Sequence, residues 1–217
     1  MSGAPEGPEA PPAPSATVVL LREVAAGPEL LLLQRAPRKG RPGPWVFPGG
    51  KVEAVDARDA DAPEEAIRPP GAPDAAPRAA PPRAALRAVP PRAALCAAIR
   101  ETREETGLAL GPGELAPIAR WITPPVTPRR FDTWFFLAVT AGREPVRVDG
   151  GEIVAHRWVA PADALEAHHG GALRLAPPQF VTVTWLAGYA GAGAAARAHA
   201  ELGGAPELPV FRPRICP

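Results

Sequence analysis

Residues 57–92 run for 36 positions with 9 Pro, 12 Ala and no aromatic side chain. Proline pairs at 69–70, 81–82 and 90–91 forbid a continuous helix there, because each proline lacks the ladder N–H and its ring clashes with the preceding turn. The stretch has almost nothing to bury and reads as a low-complexity insert holding at most short helical turns. Any fold must be built from the sequence on either side and must tolerate the interruption. Composition points the same way. The 217 residues include 45 Ala, while Leu, Ile, Val and Phe together number 46, about 21%, barely above the level at which disorder is the default. Order is therefore expected to be concentrated: a tail over 1–16, one domain over 17–202 interrupted by the insert, and a loose C-terminal tail over 203–217.

Within that domain, residues 17–24 and 29–35 are β-rich runs separated by Ala-Ala-Gly-Pro, a hairpin-like pair. A basic Gly/Pro loop, 36–44, carries Arg38, Lys39 and Arg41 and leads to an extended piece ending in Gly49-Gly50. After the insert, Pro91 or Arg92 opens a strong helix that runs to Thr106, with Gly107 as its C-terminal cap. Strands are predicted over 115–123, 130–140, 145–148 and 153–159, and helices over 161–169, 177–190 and 194–202. Strands outnumber helices and several follow one another too closely for crossover connections. The fold class is thus α/β in the broad sense (α+β), with a mixed sheet.

Charge and cysteines exclude several classes. The formal net charge is +1, which gives no electrostatic footprint for nucleic acid or an anionic membrane. The longest aliphatic runs, 18–21 and 30–33, are far short of a bilayer span. Two widely spaced thiols, Cys96 and Cys216, are too few for a disulfide framework and suit a reducing compartment. Residues 1–16 show no basic n-region and no apolar h-region, so the expected setting is cytoplasmic.

The informative segment is Leu-Cys-Ala-Ala-Ile-Arg-Glu-Thr-Arg-Glu-Glu-Thr-Gly-Leu, residues 95–108. On a helix, Leu95, Ile99, Thr102 and Thr106 fall in one arc and Glu101, Glu104 and Glu105 in the opposite one. The Glu101/Glu105 pair at i, i+4 is a like-charge contact that costs roughly 0.2–0.5 kcal/mol. Most such runs are solvated helix faces. Carboxylate clusters are, however, also the natural ligands of Mg²⁺, a hard cation that takes oxygen donors. A tight turn, Phe-Pro-Gly-Gly-Lys-Val-Glu at 47–53, stands on the other side of the insert.

At these residues the chain resembles the Nudix hydrolases, whose signature is G-x5-E-x7-R-E-U-x-E-E-x-G-U, with U a bulky aliphatic. Residues 100–108 carry every fixed letter of its second half, with Thr102 where the family has an aliphatic. The first half is Gly50 followed after five residues by Asp56 in place of Glu. From Asp56 to Arg100 the gap is 43 residues against 7 in the signature, so 36 are extra, matching the insert. A narrower resemblance is to acyl-CoA diphosphatases, which also split this box and carry Asp at that place. It rests on the strings at 121–124, 129–133 and 177–180; the terminal Ile-Cys-Pro is not a peroxisomal address.

The resemblance implies an α/β/α sandwich and a Mg²⁺- or Mn²⁺-dependent hydrolase that cleaves the pyrophosphate of a nucleoside diphosphate-linked small molecule, most plainly CoA or acyl-CoA. Cleavage of ADP-ribose or a dinucleotide is the alternative, as is a non-catalytic nucleotide-binding module. Glu101, Glu104, Glu105 and the Gly49 carbonyl would hold metal. Arg100 would orient a box carboxylate, with Asp56 as a partner. Glu152 is the candidate further acid, as ligand or general base, or else an ordinary strand-edge residue. His156 would lie on the same strand side as Glu152 by period 2. Arg38, Arg41, Arg129 and Arg130, with Lys39, are the candidate phosphate contacts, or else solubilising loop charges.

Overall fold

The computed structural model describes residues 11–61, 91–141, 144–191, 193–204 and 208–213. The expectations for residues 1–10, 62–90 and the last four positions, Cys216 included, lie outside the described residues.

Eight strands form one mixed sheet: β1 (Ala13–Val24), β2 (Gly27–Arg35), β3 (Trp45–Val46), β4 (Gly49–Lys51), β5 (Ala116–Ile122), β6 (Phe131–Thr140), β7 (Ile153–Val159) and β8 (Val210–Phe211). The order is β3-β2-β1-β6-β5-β8, with β4 beside β1 and β7 beside β2. The β1/β6 and β5/β8 pairs are parallel and the others antiparallel. Helices are α1 (Ala54–Asp59), α2 (Arg92–Thr106), α3 (Pro161–His169), α4 (Pro177–Leu186) and α5 (Ala194–Gly203).

The uninterrupted apolar runs in β1 and β2 explain the layering. Val19, Leu21, Leu30 and Leu32 enter one core cluster with Ala164, Val183, Leu186 and Ala198 from α3, α4 and α5. Val18, Leu20, Leu31 and Leu33 enter the other, with Ala94, Ala97, Ala98 and Ile99 from α2. A strand buried on both faces needs apolar residues at every position rather than at alternate ones. The expected sandwich with a mixed sheet is the observed fold.

Element boundaries differ from expectation at several places. β1 begins at Ala13, inside the segment assigned to the tail, because its first residues pair on two sides: Ser15 with Lys51 and Ala16 with Gly50 of β4, and Ala13 with Phe131 of β6. Backbone bonds order this segment despite its poor composition. α1 takes in residues 57–59 of the assigned insert. Residues 145–148 form no strand; Arg147 N–H instead donates to the Thr106 carbonyl at 2.8 Å. α4 stops at Leu186, ahead of Gly188. β8 lies in the presumed loose tail, pinned where Phe211 stacks on Trp121 at 4.3 Å between ring centroids.

Candidate active site

α2 presents two faces. Ala94, Ala97, Ala98, Ile99, Thr102 and Thr106 are buried. The two threonines would carry unsatisfied hydroxyls into the core, but Thr102 Oγ1 donates to Ala98 O at 2.7 Å and Thr106 Oγ1 to Thr102 O at 2.5 Å. That back-bonding is how Thr102 is accommodated where an aliphatic residue is usual. The helix ends at Gly107, φ 73°, whose N–H donates to Arg103 O at 2.9 Å.

On the other face, Arg100 is the hub. Its Nε and Nη2 donate to Asp56 Oδ1 and Oδ2, both at 3.0 Å, and Nη2 also reaches Lys51 O at 3.1 Å. Nη1 donates to Glu101 Oε1 and Glu104 Oε2, each at 3.0 Å. Asp56 is 1% exposed and its Oδ2 also accepts the Glu53 N–H at 2.7 Å, which starts α1. The hydrogen bonding to Asp56 is the main reason the guanidinium is held above its ordinary value. One arginine thus joins the turn at 49–53, α1 and α2.

Gly49 has φ 150° and lies so close to β1 that a Cβ there would meet Thr17 Cα at 2.6 Å; only glycine fits. Its N–H donates to Glu105 Oε2 at 2.9 Å. A Cβ on Gly50 would fall on the Glu101 carboxylate. The two glycines therefore let the strand turn approach the carboxylates of α2. Burial pushes the Glu105 carboxyl up to about 7, against the Gly49 N–H and Arg35, which lower it, and with Glu101 and Glu152, which raise it further. Burial raises Glu101 as well.

Glu101, Glu105, Glu53 and Glu152 line a cleft of about 430 Å³ with Gly49, Gly50 and Arg35. Glu152 pairs with Arg35 at its lip. Arg35, Arg38, Arg41, Arg129 and Arg174 line a second, adjoining cleft of about 520 Å³. Arg35 and Phe131 belong to both, so an acidic pocket and a basic one share a wall.

The candidates named from sequence divide accordingly. Gly49, Glu101, Glu105 and Glu152 meet in the first cleft, and Arg38, Arg41 and Arg129 in the second. Glu104 lies outside the lining; its side chain is 59% exposed and held by Arg100. Arg130 is absent from both linings because its Nε turns to Thr123 O, 3.2 Å away. His156 is exposed and off the cleft, since the β2/β7 register slips between Gln34/Ala155 and Arg35/Ile153. The extra residue, Val154, breaks the period-2 argument. Arg35, Glu53 and Arg174 are additions. Glu53 had a legible signal, an acid three residues before Asp56 at a helix start; Arg174 had none.

No group of three or more His, Cys, Asp or Glu is already gathered around a single point among the described residues. The donor chemistry nevertheless fits a hard divalent cation. Glu101 and Glu105 are oxygen donors whose carboxyls are raised above their ordinary value, chiefly by burial and, for Glu105, further by Glu101 and Glu152, the penalty a cation removes.

A Nudix hydrolase from Alicyclobacillus acidocaldarius shares the fold with TM-score 0.67 and 25% identity, over 88% of this chain and 96% of that one. Residues 114–186 match the family model described as the NUDT19 Nudix domain. The human acyl-coenzyme A diphosphatase NUDT19 is 42% identical over 72 residues, 32% of this chain and 19% of that protein. Its Gallus gallus counterpart is 31% identical over 238 residues, 74% of this chain and 61% of that protein. The chain belongs to the Nudix family. This Nudix chain spans less than two thirds of the length of either NUDT19 relative. The Nudix domain of Shewanella oneidensis NrtR, solved with ADP ribose, has TM-score 0.50 at 14% identity and speaks to the fold alone. No described helix is long and apolar enough to cross a membrane.

Proposed function

We propose that this Nudix chain hydrolyses the pyrophosphate linkage of a nucleoside diphosphate-linked small molecule, CoA or acyl-CoA, with Mg²⁺ or Mn²⁺. The observation that carries this reading is the carboxylate cleft beside the arginine cleft, with Arg35 and Phe131 common to both. A CoA-like ligand carries a pyrophosphate and a separate 3′-phosphate, so it needs one site that tolerates cations and another that supplies them. The similarity to acyl-coenzyme A diphosphatases points the same way.

Glu101 and Glu105 are the proposed cation ligands, with the Gly49 backbone. A bound divalent cation would neutralise phosphate charge and lower the pKa of its water. Arg100 sets the rotamer of Glu101 and, through Asp56, ties α2 to the glycine turn. Arg35 meets the pyrophosphate between the clefts, exchanging its contact with Glu152 for phosphate oxygens. That frees the Glu152 carboxylate to take the proton of the attacking water. Arg38, Arg41, Arg129 and Arg174 receive the remote phosphate. A cytoplasmic setting is proposed on the two widely spaced cysteines alone.

The test is phosphate-containing product release with Mg²⁺ over CoA, acyl-CoA, ADP-ribose, NADH and dinucleotides. Preference for CoA or acyl-CoA is expected. Preference for ADP-ribose would move the assignment to that substrate, and no turnover of any of them would leave a binding module.

A further inference from the structure

Two buried side-chain polar atoms among the described residues have no hydrogen-bond partner: Trp121 Nε1 and Gln179 Oε1. Trp121 lies in the sheet's aromatic cluster, stacked on Phe211. Gln179 lies in the carboxylate cleft. A buried carbonyl without a donor costs free energy, and a fold that keeps one at the wall of a ligand cleft has left an acceptor for the ligand to satisfy.

The surroundings of Gln179 suit that use. It is the third residue of α4, whose first turn is fixed by Pro177 and Pro178. The next residue, Phe180, is packed by the His168 and His169 rings, at 5.2 and 6.0 Å between centroids. Thr182 Oγ1 donates to Pro178 O at 2.9 Å. The amide is thus presented by an anchored turn rather than a loose loop, as a positioning group must be. In the same cleft, Ser15 Oγ and Thr133 Oγ1 are bonded to each other at 2.6 Å, and Val46, Phe47 and Phe131 supply apolar wall. The cleft wall thus offers neutral polar and apolar groups beside its charged ones.

We infer that Gln179 is a substrate-positioning residue, its amide carbonyl accepting a hydrogen bond from an uncharged N–H donor that the substrate carries beside the pyrophosphate. The inference rests on the pyrophosphatase reading of the same cleft. In a CoA-like molecule the donor has two sources, an amide of the pantetheine arm or the amino group of adenine.

The experiment compares wild type with Gln179→Met, an isostere that keeps shape and removes the acceptor. KM and kcat are measured for CoA and for ADP-ribose, together with Mn²⁺ affinity and Tm. A rise in KM of about three- to ten-fold is expected, the loss of one neutral hydrogen bond, with kcat and Mn²⁺ affinity unchanged. Tm should be unchanged or higher, since the variant no longer buries an orphan carbonyl; a merely structural glutamine would lower it. A KM effect confined to CoA identifies the pantetheine amide as the donor, and an effect on both substrates identifies adenine. Wild-type KM for every substrate turned over would overturn the inference and leave the hydrolase reading standing. If wild type cleaves neither compound, the hydrolase reading fails separately. Equilibrium binding of the same two compounds to wild type and Gln179→Met then decides the role of Gln179: weaker binding to the variant supports it, and equal or absent binding refutes it.

Discussion

Arg100 and Asp56 are joined by two N–H···O bonds of 3.0 Å across 44 residues of sequence. The residues between them include the whole Pro/Ala-rich insert, so this pair closes the box that the insert splits. Asp56 is 1% exposed and the Arg100 side chain 20%. Removing Asp56 takes two charge-assisted hydrogen bonds from Arg100, which keeps Glu101, Glu104 and the Lys51 carbonyl, and costs about 3 kcal/mol. Asp56→Ala should therefore lower stability by that order in urea titration. It should also loosen α1, since Asp56 accepts the Glu53 N–H. A loss below about 1 kcal/mol would show that the two halves are held by something else.

The insert itself gives the next prediction. Because α1 covers residues 57–59 and α2 begins at Arg92, a deletion of 57–92 would cut ordered structure on both sides. Replacing 62–90 with a short Gly/Ser linker should preserve cooperative unfolding within a few degrees of the parent Tm. The warrant is compositional: the segment offers little apolar surface to a core. Loss of a cooperative transition in the linker variant would show that the segment packs.

How far the sequence carried depended on whether a feature is local. The helix at 92–106, its Gly107 cap and the sorting of its two faces follow from periodicity and spacing within one element. The split box followed because its residues keep their order on either side of the insert. Arg174 comes to the second cleft only through the packing of the segment after α3, where Leu175 bridges Trp45, and nothing in its own neighbourhood marks it. Gln179 lies in the string at 177–180 that carries the narrower resemblance, which does not say that its amide reaches the first cleft. Arg35 closes an apolar strand, a position where a polar residue is ordinary. His156 was assigned by strand alternation, an argument that one bulged residue reverses. Glu104 shows the remaining gap: helical spacing puts it on the face of Glu101 and Glu105, but the exposed end of that face is bound to Arg100.

The Glu105 carboxyl should make stability fall as pH rises when no metal is added. Its ordinary value of 4.5 is raised to about 7, chiefly by burial. Below about pH 4.5 the group is neutral in folded and unfolded chains alike. Between about 4.5 and 7 the unfolded chain releases the proton while the folded one retains it, so stability declines. Above 7 the full penalty, on the order of 3 kcal/mol, is in place. Glu105→Gln should abolish this part of the slope in Tm measured against pH, and be the more stable protein at pH 8. An identical slope in both proteins would show that Glu105 titrates normally.

The same residue links stability to metal. A ligand that binds only the folded chain raises Tm with its concentration. Mg²⁺ or Mn²⁺ at pH 7.5 should raise the wild-type Tm and EDTA should reverse the shift. In the Glu101→Gln, Glu105→Gln double variant the shift should vanish, and hydrolysis should fall by at least about a hundred-fold, the cost expected when charge stabilisation at the reacting phosphate is lost. A retained metal-dependent shift in that variant would place the cation elsewhere.

The arginine cleft makes a prediction about which phosphate is read. Arg38, Arg41 and Arg129 line it together, whereas Arg130 is turned to the Thr123 carbonyl. CoA and 3′-dephospho-CoA differ by one phosphate, so general damage to the site cancels when their affinities are compared. Charge-assisted hydrogen bonds contribute roughly 1.5–3 kcal/mol each, so losing one weakens binding by about ten-fold or more. Arg129→Ala, or Arg38→Ala with Arg41→Ala, should therefore reduce affinity for CoA by about ten-fold while leaving 3′-dephospho-CoA within about two-fold. Arg130→Ala should change the two ligands equally. Raising the ionic strength should narrow the preference of wild type for CoA, because the lining arginines are open to solvent and screened by salt. Equal losses for both ligands in the Arg129 variant and in the Arg38/Arg41 variant would remove the 3′-phosphate from the second cleft. The pyrophosphate reading of the first would survive, for a substrate without that group.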